Sequence, residues 1–516
     1  MGPTLSRIFF PCARVLVCTT RRYTAIPSSA LTVEKIHMNT STAPKNMGPS
    51  TATQQPKIST WLYPLARRLH FYAGIFIAPF IIIAAITGGL YALSIPAEKI
   101  IYRHELTASS QDTRLTIDEQ VAAANSYVGD ANASPAAVRP APQAGATTRV
   151  MYADENLGES ETRGVFVDPA TGEIRGDLTV YGSSGSLPVR AWISTFHTNL
   201  HLGKFGHVYS ELAASWMWVV ALGGVTLWIL RAQKLTKKKD LVVPNNKIKG
   251  YRRTLSWHSS AGIWLALGMV FFSATGITWS TYAGENVKNL RTAMSWTTPS
   301  VNKSLDGSTI SSDEHAHHHG SHTTHDAHTR QEPQEQAISY DRILQDARQE
   351  PTIDSRNIEI VPGADRTAWT VTETQRSFPT QVDSVAVNPQ NDTIVDTVRF
   401  ADYPLAAKLT RWGVDTHMGI MFGAVNQLVI VIFSVALTML CIWGYVMWWQ
   451  RRPKNKSHRL GAVPPHTMWK NIPVWFWLPL TLVAIAIGLF LPLLGISLVL
   501  FLALDTVFIY RKKQTQ

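Results

Sequence analysis

The sequence predicts a multi-pass, all-α membrane core, four helices plus a C-terminal helical hairpin or about six spans, with two small α+β domains outside the bilayer. Three observations predict it. Long apolar runs alternate with polar loops, basic residues gather beside the runs, and the chain repeats its own pattern. Of 516 residues, 45% are hydrophobic and only 16% charged, so a purely soluble fold would have more apolar surface than it could cover.

A bilayer core takes about 20 apolar residues in a helix. Four runs reach that length: Phe71 to Leu93, Leu212 to Leu230, Ala261 to Tyr282 and Ala424 to Trp449. With their flanks they delimit spans at 62–94, 207–231, 258–282 and 418–450. A fifth stretch, Pro473 to Tyr510 within 473–511, is too long for one helix and is interrupted at Leu491-Pro492-Leu493-Leu494-Gly495, so it reads as a helical hairpin.

The formal charge is +12, a value compatible with nucleic-acid binding, but its placement signals membrane topology instead. Arg67 and Arg68 precede the first span, Arg231, Lys234, Lys237, Lys238 and Lys239 follow the second, Arg451, Arg452, Lys454 and Lys456 follow the fourth, and Arg511, Lys512 and Lys513 follow the last. All fall on one side if both termini are cytoplasmic. The basic loop 232–257 is then cytoplasmic, the long loops 95–190 and 283–410 are periplasmic, and no nucleic acid is expected as a partner.

Residues 1–57 carry Arg7, Arg14, Arg21 and Arg22 with no acid before Glu34. They superficially resemble an organelle transit peptide. The reading adopted is a disordered extension, or a start placed too early with Met38 or Met47 as the initiator. Cys12, Cys18 and Cys441 lie in this extension and in an apolar run, which leaves neither polar loop a disulfide of its own and gives no cysteine metal site.

The repeat aligns His70-Phe71-Tyr72-Ala73-Gly74-Ile75 with His258-Ser259-Ser260-Ala261-Gly262-Ile263, and Thr87-Gly88 with Thr275-Gly276, without a gap. The second and fourth spans correspond more loosely, each following a histidine and a Phe-Gly step, Phe205-Gly206 and Phe422-Gly423. Each long loop offers a helix-like segment (Thr116 to Tyr127; Tyr340 to Gln349) and then alternating runs joined by Asp168-Pro169-Ala170-Thr171-Gly172 or Asn388-Pro389-Gln390-Asn391-Asp392, residues that punctuate hairpins. No catalytic constellation is evident in either, and recognition or packing is the role expected.

His70 and His258 fall at the cytoplasmic ends of their spans, His197 and His417 at the periplasmic ends. Ionisable residues at membrane depth are costly and mark pathways or cofactors, and two neutral imidazoles on facing helices can clamp one haem iron. The alternative for each is an interfacial histidine bonded to headgroups or a neighbouring helix. Gly74 and Gly262, four residues on, share their histidine's helix face and either make room for a macrocycle or allow helices to pack. His201 is spaced i, i+4 from His197, shares its helix face, and is the alternative periplasmic ligand; His207 is also nearby. With no Cys-x-x-Cys-His attachment motif, the expectation is two non-covalent haem b groups. His315, His317, His318, His319, His322, His325 and His328 form a tract within an insertion at 313–328. Such tracts bind zinc, copper, nickel or iron weakly; a disordered insertion with no essential role is the other reading.

Arg68-Leu69-His70-Phe71-Tyr72-Ala73-Gly74 with Ala78-Pro79-Phe80, His197 through Leu202-Gly203 to Glu211-Leu212-Ala213-Ala214-Ser215-Trp216, Trp257-His258 through Ala261-Gly262-Ile263-Trp264 to Thr275-Gly276-Ile277-Thr278-Trp279, and His417-Met418-Gly419 to Trp448-Trp449-Gln450-Arg451-Arg452 together resemble the PepSY-associated transmembrane family. Its members include bacterial siderophore reductases. The resemblance covers roughly residues 61 to 452. It implies an inner-membrane di-haem protein with periplasmic PepSY-like domains, and favours His197 over His201 as the ligand.

Three functions compete. In the first, electrons from a membrane quinol or a cytoplasmic reductase pass through both haems to a periplasmic ferric siderophore for iron uptake; no Gly-x-Gly-x-x-Gly after a strand supplies a nucleotide domain of the chain's own. In the second, the spans merely anchor PepSY-like domains, which bind a protein or restrain a peptidase. The third is a siderophore or metal transporter, disfavoured because the spans lack interrupted half-helices and buried acids, with Asp505 the main exception. Besides these partners, only membrane lipid is expected.

Overall fold

The computed structural model describes residues 58–233, 238–306, 338–349, 353–364, 366–452 and 474–514. The N-terminal extension with Cys12 and Cys18, and the histidine tract, lie outside them.

In chain order, helix α1 (Ile58–Phe76) leads into α2 (Ala78–Ile101) and the short α3 (Arg103–Leu106). A first α+β segment follows: α4 (Ile117–Val128), β1 (Ala137–Arg139), β2 (Thr148–Tyr152), β3 (Glu161–Val167) and β4 (Ile174–Tyr181). Next come α5 (Pro188–Asn199), α6 (Gly203–Ala232), α7 (Tyr251–Ile277) and α8 (Tyr282–Ala293). The second α+β segment holds α9 (Tyr340–Ala347), β5 (Ile358–Val361), β6 (Trp369–Glu373), β7 (Ser384–Asn388) and β8 (Thr393–Val398). The chain then runs through α10 (Leu405–His417), α11 (Gly423–Gln450), α12 (Val474–Phe490) and α13 (Pro492–Gln514). Among the described residues, α2, α6, α7 and α11 are long and apolar enough to cross a membrane, and α12 and α13 contribute shorter apolar stretches, Trp475–Phe490 and Pro492–Val507.

The first apolar run is not one helix. It breaks at Ile77, between α1 and α2, because Pro79 has no N–H to give the carbonyl of Ile75. That orphan accepts instead from the Tyr445 hydroxyl on α11 at 2.7 Å, so the break is satisfied within the protein, as an apolar surround demands. Leu267 stands at the equivalent position of α7, which runs unbroken. The third run also differs, since α7 ends at Ile277 rather than at Tyr282. Thr278 and Ser280 turn their hydroxyls back onto the carbonyls of Thr275 and Ile277 at 2.6 and 2.8 Å, competing with helix continuation. The carboxylate of Glu211 then accepts the N–H groups of Tyr282 and Ala283, both at 3.0 Å, and starts α8.

The two loops do not form two separate α+β domains. Their strands join in one antiparallel sheet of order β4-β3-β2-β1-β5-β6-β7-β8. Each loop alone would leave a bare edge at β1 or β5; pairing Val138 with Ile360 closes both, and Arg139 of β1 holds Glu359 of β5 at 2.6 Å. Ile117, Val121 and Ala124 of α4 and Ile343, Leu344 and Ala347 of α9 pack with Val138, Val150, Val165, Ile360, Val371 and Val385 in one shared core. The helices also cap one another. The Asp118 carboxylate accepts from the N–H of Tyr340 at 2.7 Å, and Asp341 accepts from the N–H of Asp118 at 3.0 Å, each placing an acid at the partner's positive end.

Candidate functional site

The four span-end histidines lie at two levels of the helical bundle. At the first, His70 on α1 and His258 on α7 face each other with ring centroids 6.2 Å apart and planes 75° to one another. His70 Nδ1 donates to the Val220 carbonyl of α6 at 2.9 Å, and His258 Nδ1 to the Leu440 carbonyl of α11 at 3.0 Å. A carbonyl can only accept, so both rings carry the proton on Nδ1 and leave the Nε2 lone pair free for a metal.

The second level obeys the same logic through hydroxyls. Thr87 Oγ1 lies 2.8 Å from His197 Nδ1, and Thr275 Oγ1 lies 2.6 Å from His417 Nδ1. Each hydroxyl has one proton, directed to its own helix: Thr87 donates to the Ile83 carbonyl at 2.8 Å and Thr275 to the Phe271 carbonyl at 2.8 Å. The threonine oxygens therefore accept from the rings, and again Nε2 is free. Phe272 and Trp279 flank the His417 ring at 5.0 and 5.6 Å between centroids.

Spacing along the chain makes the two halves equivalent. Thr87 follows His70 by 17 residues, as Thr275 follows His258; Val220 follows His197 by 23, as Leu440 follows His417. The same offset pairs Gly203 with Gly423, the first residues of α6 and α11, both at positive φ (57° and 56°). This replaces the pairing of Phe205-Gly206 with Phe422-Gly423, which is three residues out of register. At a rise of about 1.5 Å per residue, 17 residues set the two levels about 26 Å apart along the helices.

Each of the four histidines is half-buried. A Cβ added at Gly74 would meet no protein atom within 4 Å, and one at Gly262 only Leu440 Cδ1 at 3.8 Å, so neither glycine is needed for tight helix contact. The glycines that seat the rings are others: a Cβ at Gly88 would lie 3.2 Å from His197 Cε1, and one at Gly224 would lie 3.2 Å from His70 Cε1.

His201 does not share a helix face with His197. Helix α5 ends at Asn199, and Leu200 and His201 both take positive φ, which swings the ring onto Trp192 and Phe196 at 4.7 and 6.0 Å, at the exposed surface. His207 is half-buried near Glu211.

The sequence reading passed over the partners Thr87 and Thr275, although their Thr-Gly steps were half of the repeat signature. It also undercounted buried acids. Glu211 is 1% exposed as the cap of α8, and Glu98 accepts from the N–H of Leu187 at 2.8 Å and pairs with Arg190 at 3.1 Å. These carboxylates serve as helix caps and ion-pair partners.

Among the described residues, no three of His, Cys, Asp and Glu gather as a metal-ion site. A family model described as the PepSY-associated TM region matches residues 67–451. No curated protein matches the chain.

Proposed function

The chain belongs to the PepSY-associated TM family, and from that premise we propose that it is a di-haem electron-transfer protein of a bacterial inner membrane that reduces ferric siderophores on the periplasmic side. The observation that carries this reading is the His70–His258 pair. Their ring centres stand 6.2 Å apart with each Nδ1 tied to a backbone carbonyl, so the two Nε2 atoms would be the ones to hold a haem. The repeat-related His197 and His417 would hold the second haem. His201, among surface aromatics, would not be a ligand.

A haem gripped by two histidines passes single electrons and keeps no open position for oxygen chemistry. The chain's own residues prepare each site. Val220, Leu440, Thr87 and Thr275 fix the ring tautomers and orientations, and acceptance of the Nδ1 proton raises the donor strength of Nε2. Gly74 and Gly262 leave room beside the first pair. Glu98 and Glu211, spent on structure, offer no carrier site, which argues against transport.

In this topology the spans are six, both termini are cytoplasmic, and the eight-stranded sheet is periplasmic. The siderophore as substrate rests on the family resemblance. The test is a reduced-minus-oxidised visible spectrum of detergent-purified protein with haem quantification. About two b-type haems per chain are expected, one per histidine pair; a colourless preparation from haem-replete cells would sink the proposal and favour the anchor reading.

A further inference from the structure

At the level of His70, three polar side chains meet where α1 packs on α13. The Arg68 guanidinium pairs with the Asp505 carboxylate, the Tyr72 hydroxyl donates to the same carboxylate at 3.1 Å, and Arg68 lies over the Tyr72 ring at 5.5 Å. Asp505 is the one acid in α13 and lies in its apolar stretch Pro492–Val507, ahead of the basic end Arg511-Lys512-Lys513, with a side chain only 14% exposed. A carboxylate at membrane depth is costly, and where retained it tends to serve function. Holding the hairpin in place does not require it, because Phe501 already packs α13 against Phe76 and Trp216 at 5.3 and 5.4 Å.

Together with α6 and α12, the same helices frame an apolar hollow of about 120 Å³, lined by Leu69, Trp216, Val219, Ile487, Leu494 and Leu498 among others. Leu69 lies between Arg68 and His70, and Val219 precedes the residue whose carbonyl holds the His70 ring. Leu498 precedes Asp505 by two helical turns, about 10 Å at 1.5 Å per residue. A larger hollow, about 210 Å³ between α6 and α7, has no titratable group in its lining. Only the first combines an apolar slot, a buried proton acceptor nearby and adjacency to a histidine of the candidate electron path.

We propose that the α1–α6–α13 face binds an isoprenoid quinol, its tail in the slot and its ring hydroxyl on Asp505 and Tyr72, and that this quinol is the electron donor. The inference rests on the electron-transfer reading above. The chemistry balances. The quinol would give up two electrons, one after the other, to a haem held by His70 and His258, and two protons, which Asp505 would accept in turn and pass to the cytoplasmic side. It leaves as quinone, and two ferric chelates at the other face each take one electron. An amphipathic lipid would also fit the slot but has no electrons to give.

The experiment uses the full chain purified in mild detergent, with Asp505→Asn to remove the proton acceptor and Leu498→Trp to fill the slot without touching the ion pair. Extraction should recover quinone from the wild type, and both variants should lose about tenfold, the worth of one charge-assisted hydrogen bond or of blocked access. Anaerobic decylubiquinol should reduce the wild-type haem and act about tenfold more slowly on both variants, while dithionite still bleaches each spectrum to full amplitude. Unchanged rates and quinone content in both variants, or phospholipid extracted where quinone was expected, would overturn the proposal. A colourless protein that still carries quinone, lost in Leu498→Trp, would keep the site and sink the electron-transfer reading instead.

Discussion

Thr275 Oγ1 and His417 Nδ1 stand 2.6 Å apart, with the threonine proton already given to the Phe271 carbonyl, so the hydroxyl acts on the ring only as an acceptor. Thr87 holds His197 in the same way at 2.8 Å. Replacing either by valine keeps the shape and removes the acceptor. Loss of such an outer partner weakens metal binding about 10- to 100-fold. Thr275→Val and Thr87→Val should each yield protein that sheds one haem on gel filtration, with full retention of both haems the result that would count against the argument.

The pairing scheme makes a sharper demand. His70→Ala and His258→Ala should remove the same haem, and His197→Ala and His417→Ala the other, each leaving about half the spectral amplitude because the levels lie about 26 Å apart along the helices. His201→Ala should keep both. If His70→Ala and His417→Ala deplete the same spectral component, the two-level scheme fails.

Orientation is open to labelling. Glu155, exposed in the β2–β3 loop, and Lys247, exposed ahead of α7, fall on opposite sides of the proposed membrane. In a background without Cys12, Cys18 and Cys441, a membrane-impermeant maleimide should label Glu155→Cys in intact spheroplasts and reach Lys247→Cys only after permeabilisation. The reverse pattern would invert the topology.

Tyr445 closes the break that Pro79 opens between α1 and α2. In Tyr445→Phe the Ile75 carbonyl loses its hydrogen bond in an apolar surround, and hydrogen bonds between membrane helices are worth about 0.6 to 1.7 kcal/mol. The variant should melt a few degrees lower, a shift roughly proportionate to that loss, while restoring a backbone donor with Pro79→Ala should reduce the penalty. Equal melting of Tyr445→Phe and the wild type would show that water or another donor satisfies the carbonyl.

Much of the architecture was legible in the chain. Apolar runs of span length, basic flanks and the gapless match of His70 to Gly74 with His258 to Gly262 identify a duplicated membrane bundle, since hydropathy and charge act locally and survive as composition. The helices over 117–128 and 340–347 and the hairpins at 168–172 and 388–392 were equally local, written in caps and turn residues. What pairs across distance was not. That β1 meets β5 in one sheet depends on two edges 220 residues apart finding each other, and neither edge says so in its own sequence. The break at Ile77 was not anticipated, the run over 62–94 reading as one uninterrupted span although Pro79 stands in it, and Tyr445, whose hydroxyl donates to the Ile75 carbonyl, lies 370 residues from Ile75. His201 matched His197 by spacing and was turned aside by two left-handed residues, a backbone choice that periodicity does not encode. The histidines were legible as two pairs, and His70 and His258 do come together at 6.2 Å; what tertiary packing alone decided is that each ring's proton is tied to a third or fourth helix, because the acceptors are backbone carbonyls, which every residue carries and no sequence pattern marks.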